Sequence, residues 1–229
     1  MTKINNAVYG FYFAAACLLI AMPSCKKEAE VVVEEPTTVT DIDGNVYPII
    51  KIGSQIWTTV NLKTTRYNDG TVIPTGLDDA AWTLGAADAY AIYNDDPANN
   101  TAYGKLYNWN AVATGKLAPK GWHIPSRVEW TALTNYLGTG AGGKMKSTST
   151  LWNAPNTGAD NSSGFAGLPG GYRGTTGGYS VIGNTGYFWA SSERNSTQGD
   201  YLNLDRNSGT ALANGATKQF GYSVRCIKD

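Results

Sequence analysis

The stretch Leu-Ala-Pro-Lys-Gly-Trp-His-Ile-Pro-Ser-Arg-Val-Glu-Trp, at residues 117–130, carries the clearest local signal in this chain. Ser126 is a favourable residue at a helix N-cap, and Glu129 follows three positions later, where its carboxylate can complete a capping box. Gly138 is a favourable residue just beyond a helix end. The pattern therefore predicts a helix over residues 127–137.

Apolar residues in this segment recur at partial three- and four-residue spacing, which indicates one buried face. That face would consist of Val128, Trp130, Leu133, Tyr136 and Leu137. We expect only one more short helix, over residues 106–113, and its inward side chains would be Trp109, Val112 and Ala113.

The rest of the chain favours strands, turns and loops. Asp-Gly-Asn at residues 43–45 separates two β-prone runs, and Gly-Ser at residues 53–54 does the same, so each predicts a hairpin. Residues 164–186 contain nine glycines, and each costs roughly 1 kcal/mol against alanine inside a helix. Residues 221–227 alternate like a strand that places Cys226 on the same face as Tyr222 and Val224.

Residues 1–24 have the pattern of a signal peptide, with Lys3 followed by an uncharged, mostly apolar run at residues 7–21. The run is too short for a membrane-spanning helix, which takes roughly 20 apolar residues. The sequence Met-Pro-Ser-Cys, ending at Cys25, resembles the lipobox of bacterial lipoproteins, and this resemblance implies acylation of the Cys25 thiol. An ordinary secreted protein cleaved nearby is the alternative.

Residues 25–38 are predicted to form a lipidated cysteine and a flexible tether, because this segment is charged and lacks a periodic apolar face. Several acyl chains anchor a protein stably, so we expect a lipid anchor in a membrane of the cell envelope. Lys-Lys-Glu after Cys25 lacks the aspartate of inner-membrane retention, which favours the outer membrane. The globular domain is expected over residues 39–229, where only Cys226 remains and no internal disulfide can form.

The charge balance excludes one class of partner. The chain has a formal net charge of zero and no basic cluster after the leader, so we expect no nucleic acid partner. All seven tryptophans and most of the 14 tyrosines lie beyond residue 40, among many glycines and asparagines, a composition that suits strands and aromatic surfaces.

Seven segments follow one another in a characteristic order: residues 41–47, 55–57 with 61–64, 67–70, 103–109, 117–126 with 129–130, 164–165 with 171–173, and 221–226. Together they resemble the Fibrobacter succinogenes major paralogous domain family. Residues 123–130 and the terminal strand are also similar to the formylglycine-generating enzyme family. Both likenesses imply an α+β fold of C-type-lectin-like architecture, with small antiparallel sheets, two short helices, long glycine-rich loops and a sheet that pairs the chain ends.

The residue types that the similar enzymes use are scarce in this chain, and fold alone does not imply activity. A formylglycine-generating enzyme needs a pair of thiolates to hold copper, whereas we expect Cys226 to be a buried core thiol. The related iron-dependent sulfoxide synthases use a histidine cluster, and we expect the single histidine, His123, to be structural. We therefore expect a domain without a catalytic residue or a resident cofactor.

Oxygen-bearing side chains allow two further readings. Glu193, Asp200 and Asp205 could supply the acid pair of a glycoside hydrolase, although capping and solvation in turns explain such residues more simply. Residues 94–96 and 156–162 are rich in Asn and Asp, so calcium remains possible, and Asx turns account for the same pattern.

The last third of the chain favours a recognition surface. Aromatic rings stack on the apolar faces of sugars, while amide, carboxylate and guanidinium groups bind their hydroxyls, and mixed pockets of this kind give specificity. The candidate ligand-binding residues are Tyr172, Arg173, Trp189, Glu193, Arg194, Asp205 and Arg206. Tyr179, Tyr187, Tyr201, Asn203 and Asn207 are of the same types, and we expect only a minority of these side chains to face solvent.

Three hypotheses follow for function. The first is a lipid-anchored envelope protein whose domain binds a glycan or a surface protein without changing it. The second is a structural or scaffold protein of the envelope, and the third is a cryptic enzyme of the formylglycine-generating type.

Overall fold

The computed structural model describes residues 1–2, 36–85 and 87–229. Pro36–Asp229 form one compact unit. Cys25, the predicted leader beyond its first two residues and most of the predicted tether lie outside the described residues. Within the described part, no helix is both long enough and apolar enough to cross a membrane.

Five α-helices lie in the described residues, where the sequence predicts two. They are α1 (Asp79–Leu84), α2 (Pro97–Tyr103), α3 (Trp109–Ala113), α4 (Arg127–Leu137) and α5 (Ala141–Met145), and a 3₁₀ turn spans Tyr93–Asp95. The helix predicted over residues 127–137 is confirmed, including its capping box between Ser126 and Glu129. The additional helices have five to seven residues, and Asp78 and Asp96 cap two of them, so their apolar patterns are too short to stand out.

The second predicted helix is only half right. Leu106–Tyr107 form a strand, and the helix begins at Trp109 because Asn108 caps it by accepting a hydrogen bond from the Ala111 backbone N–H. Trp109 and Val112 are buried as expected, but Ala113 is exposed.

The face predicted for α4 also needs correction. Trp130 and Leu133 are buried, whereas Val128 and Tyr136 are 76% and 67% exposed. An 11-residue helix at the domain surface buries only a narrow stripe, and these two side chains lie outside it.

The described strands range from two to eleven residues, and the two longest, β9 and β10, are neighbours in one sheet. They are β1 (Thr38–Thr40), β2 (Val46–Ile52), β3 (Gln55–Thr58), β4 (Tyr90–Ala91), β5 (Leu106–Tyr107), β6 (Trp122–His123), β7 (Tyr172–Arg173), β8 (Tyr179–Ser180), β9 (Thr185–Asn195), β10 (Gln198–Asp205), β11 (Ala211–Thr217) and β12 (Ile227–Lys228).

One antiparallel sheet joins the two ends of the domain. Its strand order is β1-β2-β3-β12-β6, so the first and last strands of the domain share it. Both predicted hairpins are confirmed in it, since β1 pairs with β2 and β2 pairs with β3. The predicted terminal strand is shorter than expected, because only Ile227 and Lys228 are in regular pairing.

The second sheet, of order β11-β10-β9, separates two core clusters. One face carries Phe188, Ala190, Leu202 and Leu204, which pack with α4 and with Trp57 and Phe165. The other face carries Trp189, which packs with Tyr107, Tyr222 and Cys226. The alternation of side chains along β9 and β10 therefore supplies both cores.

Two ribbons, β4-β5 and β7-β8, complete the described part of the fold. With several small antiparallel sheets and few helices, the architecture is α+β. The expectation of long glycine-rich loops is met between α5 and β9, where β7 and β8 have two residues each.

Candidate functional site

Four partly exposed aromatic rings form one surface, which we call the aromatic face and which consists of Tyr172, Tyr187, Tyr201 and Phe220. Tyr187 lies on β9 and Tyr201 on β10, where Tyr201 stands opposite Trp189. Antiparallel neighbours place their side chains on the same face of a sheet, so the register itself brings these rings together.

The rings are in direct contact. Tyr187 lies 5.5 Å from Tyr172 and 5.7 Å from Tyr201, measured between ring centroids. Phe220 lies 5.4 Å from Tyr172 in an edge-to-face arrangement. The set forms one continuous aromatic surface, because each of these distances falls within the range of favourable aromatic pairs.

A buried layer supports the aromatic face. Tyr222 is 3% exposed, stacks on Tyr187 at 4.8 Å, and also contacts Phe220 and Tyr201. Trp189 is fully buried and lies 4.4 Å from Tyr222. The exposed rings are therefore held on a rigid platform.

The phenol hydroxyls of Tyr187, Tyr201 and Tyr222 are protonated donors at neutral pH. Burial raises the pKa of Tyr187, Tyr201 and Tyr222, and the surrounding tyrosines raise that of Tyr222 further. Within the described residues, the hydroxyls of Tyr172 and Tyr201 make no hydrogen bond to a protein group. A bound ligand can therefore use them.

A shallow groove of 330 Å³ adjoins the aromatic face. Tyr172 and Phe220 belong to both, and the remaining lining residues are Gly174, Thr175, Thr176, Gly178, Tyr179 and Ser180. The groove therefore combines aromatic walls with hydroxyl groups and glycine backbone.

Arg173 is not exposed on this surface, contrary to the sequence-based expectation. It is 2% exposed, and its guanidinium lies between the rings of Trp82 and Tyr179. Its Nε donates to the Gly177 carbonyl at 2.8 Å, so it holds the turn between β7 and β8 from beneath. Alternation along the two-residue strand β7 turns Tyr172 outward and Arg173 inward.

Trp189 is likewise a core residue and not a platform. Its indole Nε1 donates to the Tyr107 carbonyl at 2.8 Å, and its ring has no exposed surface. Tyr222, from the end of the chain, covers it. The expectation that Trp189 stacks on a ligand is therefore wrong for this conformation.

Glu193 and Arg194 lie at the far end of β9, each in an ion pair. Glu193 is exposed and accepts a hydrogen bond from Lys218 at 2.6 Å. Arg194 donates to the buried carboxylate of Asp200 at 2.7 Å, and Arg127 approaches the same oxygen at 3.5 Å. The buried Asp200 carboxylate is thus paired with two cationic side chains.

Asp205 and Arg206 have structural contacts at the end of β10. The Asp205 carboxylate accepts hydrogen bonds from the Thr185 hydroxyl at 3.0 Å and from the Asn207 backbone N–H at 2.8 Å. Arg206 donates to the Ala154 carbonyl at 2.6 Å. Neither residue belongs to the aromatic face or to the groove.

A buried lysine holds the segment of residues 156–162, one of the two segments for which the sequence leaves calcium binding possible. The Lys146 ammonium is fully buried and donates to the backbone carbonyls of Thr157, Asp205 and Ser208 at 2.8 to 2.9 Å. Burial lowers the pKa of Lys146. Asp160 accepts a hydrogen bond from the Ser162 N–H, which is the contact of an Asx turn.

The described residues contain no group of three or more His, Cys, Asp and Glu side chains that could hold a metal ion. In the other oxygen-rich segment, Asp95 accepts a hydrogen bond from the Tyr179 hydroxyl at 2.9 Å, and Asp96 caps α2.

His123 bridges two carboxylates. Its Nδ1 lies 2.6 Å from Asp229 and its Nε2 lies 2.8 Å from Glu129. Burial opposes its protonation, but the hydrogen bonds to Asp229 and Glu129 outweigh burial and raise the His123 pKa. The imidazole thus ties the chain terminus to the start of α4, which agrees with a structural role.

Cys226 is fully buried, as the strand pattern predicts. Burial raises the pKa of its thiol well above the ordinary value, so the sulfur is a neutral core group.

A second cleft, of 280 Å³, lies where the β1–β2 turn meets residues 117–120. Its acidic wall is Asp41, whose carboxylate accepts hydrogen bonds from the backbone N–H groups of Asp43 and Asn45, the Asn45 amide and the Tyr47 hydroxyl. Four internal donors satisfy this carboxylate, so it stabilises the turn.

The sequence predicts only part of this surface. Tyr172 is among its candidate ligand-binding residues, and Tyr187 and Tyr201 are of the same residue types, but Phe220 is not among them. One signal could have found it: Phe220 stands two residues before Tyr222, and in an extended segment that spacing places both rings on one side.

Comparisons with known proteins identify the family. The model of the Fibrobacter succinogenes major domain matches residues 50–228, which is most of the chain and includes the aromatic face, the groove, His123 and Glu129. No curated protein and no solved structure shows a significant match. The chain belongs to the Fibrobacter succinogenes major domain family.

Proposed function

We propose that this chain is a lipid-anchored envelope protein whose folded domain binds a carbohydrate through the aromatic face and does not alter it. The supporting observation is the cluster of Tyr172, Tyr187, Tyr201 and Phe220, four rings in contact on a supported surface that remain partly open to solvent. Soluble domains usually bury such side chains, and a contiguous exposed set marks an interaction site.

The chemistry of the surface suits sugars. Flat aromatic rings stack on the apolar faces of pyranoses, and the hydroxyls of Tyr172 and Tyr201 can form hydrogen bonds with the sugar hydroxyls. Because the platform of Tyr222 and Trp189 is already ordered, little conformational entropy is lost on binding.

Binding without chemical conversion of the ligand agrees with the surroundings of the side chains that could otherwise react. The Cys226 thiol is buried, and the His123 imidazole is bonded to two carboxylates. Asp200 is held by Arg194 and Arg127.

The test measures carbohydrate binding by the intact purified protein on a panel of immobilised polysaccharides, followed by titration calorimetry with the best ligand. We expect Tyr201→Ala and Phe220→Ala each to lower affinity at least tenfold, which corresponds to about 1.4 kcal/mol. Tyr136→Ala is the matched control, because Tyr136 is an exposed tyrosine on α4, which packs on the other face of the sheet.

The outcomes separate the hypotheses. Equal losses for Tyr201→Ala and Tyr136→Ala would refute the aromatic face as the site. A protein that ignores every glycan but cross-links to one envelope protein through Tyr201 would favour the scaffold role. Parallel titrations with calcium and with a chelator report whether calcium is required.

The envelope placement has its own test, which does not depend on the ligand. We expect mass spectrometry of the mature protein to find acyl chains on Cys25, and Cys25→Ser to move the protein from the membrane fraction to the soluble fraction. An unmodified Cys25 would refute the lipid anchor.

We also propose that the architecture is C-type-lectin-like. Support comes from the sheet that unites β1 with β12 and from the long region of short strands between α5 and β9. An experimental structure that superposes on C-type lectin domains tests this assignment, and a different strand order would refute it.

A further inference from the structure

We infer that the groove beside the aromatic face is a second subsite, and that the ligand is an extended, uncharged glycan chain of several sugar units. This inference rests on the proposed function and specifies the ligand class of the same site.

The groove continues the aromatic face without a break. Tyr172 and Phe220 contribute to both surfaces, and their ring centroids are 5.4 Å apart with the planes at 82°. A chain that stacks on Tyr201 and Tyr187 therefore reaches the groove by passing over Tyr172.

The groove offers the contacts that successive sugar units need. Its walls carry the hydroxyls of Thr175, Thr176 and Ser180, which make no hydrogen bond to any protein group among the described residues. The ring of Tyr179 forms another wall, while its own hydroxyl is bound to Asp95.

The charge of the groove selects the ligand class. None of its lining residues carries an acidic or basic group, and the guanidinium of the buried Arg173 is already bound to the Gly177 carbonyl and the Asp79 carboxylate. An acidic polysaccharide would bring carboxylates to a surface that offers them no cation, so neutral chains are preferred.

The groove wall is already ordered. In the turn between β7 and β8, the Gly174 N–H donates to the Gly178 carbonyl at 2.7 Å, and Arg173 binds the Gly177 carbonyl. Gly177 has φ +91°, and a Cβ atom there would lie 2.3 Å from the Asp79 carboxylate, so only glycine fits. A wall of this kind needs no rearrangement to receive a ligand.

The test is a length series of neutral gluco-, xylo- and manno-oligosaccharides, from the monosaccharide to the hexasaccharide, titrated into the intact protein. We expect affinity to rise at least tenfold along the series that binds, and then to level off. In the double variant Thr175→Val/Thr176→Val, which keeps side-chain shape and removes both hydroxyls, the gain with length should shrink while the shortest bound oligosaccharide keeps its affinity.

Tyr201→Ala provides the contrast, because it should weaken all lengths alike. A flat affinity across lengths, or an equal effect of the threonine variant on every length, would overturn the groove subsite and leave the aromatic face intact. Tighter binding of alginate or polygalacturonate than of neutral chains would overturn the ligand class. A wild-type protein that binds no sugar of any length would overturn this inference together with the proposed function.

Discussion

Replacing Trp189 by alanine tests whether this side chain belongs to the core or to a binding surface. The ring has no exposed area, packs 4.4 Å from Tyr222, and donates a hydrogen bond to the Tyr107 carbonyl. A core residue stabilises the domain, whereas a platform residue contributes mainly to affinity. The structure therefore predicts a large loss of stability.

The size of that loss follows from the contacts of Trp189. Burial of an aromatic side chain removes roughly 150–250 Å² from water, worth about 4 to 6 kcal/mol at 25 cal/mol per Å². The lost hydrogen bond adds about 1 kcal/mol, and not more, because the Tyr107 carbonyl keeps the Tyr222 N–H as a second donor. Since measured Trp→Ala substitutions cost about 3 to 5 kcal/mol, we expect a loss near 5 kcal/mol.

Urea unfolding followed by far-ultraviolet circular dichroism measures this loss without depending on tryptophan fluorescence. We expect Trp189→Phe, which keeps a ring against Tyr222, to lose only about 1 to 2 kcal/mol. The control Tyr136→Ala should stay within about 1 kcal/mol of the wild type, because Tyr136 is mostly exposed. A loss below about 1 kcal/mol for Trp189→Ala would refute the core assignment.

Three further predictions concern buried or bridging polar groups. Arg225→Met should lower the free energy of unfolding by about 3 to 5 kcal/mol, because the fully buried guanidinium donates four hydrogen bonds that the thioether cannot replace; an unchanged urea midpoint would contradict this. Lys146→Met should loosen the loop that follows α5, seen as faster hydrogen exchange at residues 156–160, and unchanged exchange there would contradict the role of the ammonium as its anchor. Because the His123 pKa is raised in the folded state, its bridge stabilises the fold fully below the unfolded-state pKa of about 6.5 and loses that stabilisation as pH rises through the folded-state pKa. His123→Gln should therefore lower the free energy of unfolding more at about pH 6 than at about pH 9. A difference that does not depend on pH would argue against the bridge.

The buried Arg225 shows how much of the core depends on contacts that no local pattern reports. Its Nε donates to the Asn61 amide oxygen at 2.6 Å, and its other donors bind the carbonyls of Thr58, Phe165 and Ala166. The guanidinium also lies 4.6 Å from the centre of the Phe165 ring. Burial lowers the pKa of Arg225 to about 9, which leaves it protonated at neutral pH.

Local features were readable from the sequence because short-range chemistry determines them. The capping box of α4 joins residues three positions apart, and the two hairpins depend on turns of a few residues, so Ser126, Glu129 and the Asp-Gly-Asn turn predict these elements directly. The burial of Cys226 is as predicted, although Ser223 and Arg225 are buried as well, so the burial does not follow the predicted alternation. The family resemblance, which rests on seven ordered segments, agrees with the match over residues 50–228.

Which aromatic rings face solvent was decided only by the tertiary structure. Trp189 and Tyr201 stand opposite each other on neighbouring strands, and their residue types alone make them equally suited to bind a ligand. Tyr222, from a distant segment, covers Trp189 and leaves Tyr201 partly exposed. Arg173 became a buried support of the groove because Trp82 and Tyr179 enclose it. Residue type and spacing define what a side chain can do, but burial depends on partners far along the chain, and only the folded arrangement of those partners selects the surface that meets a ligand.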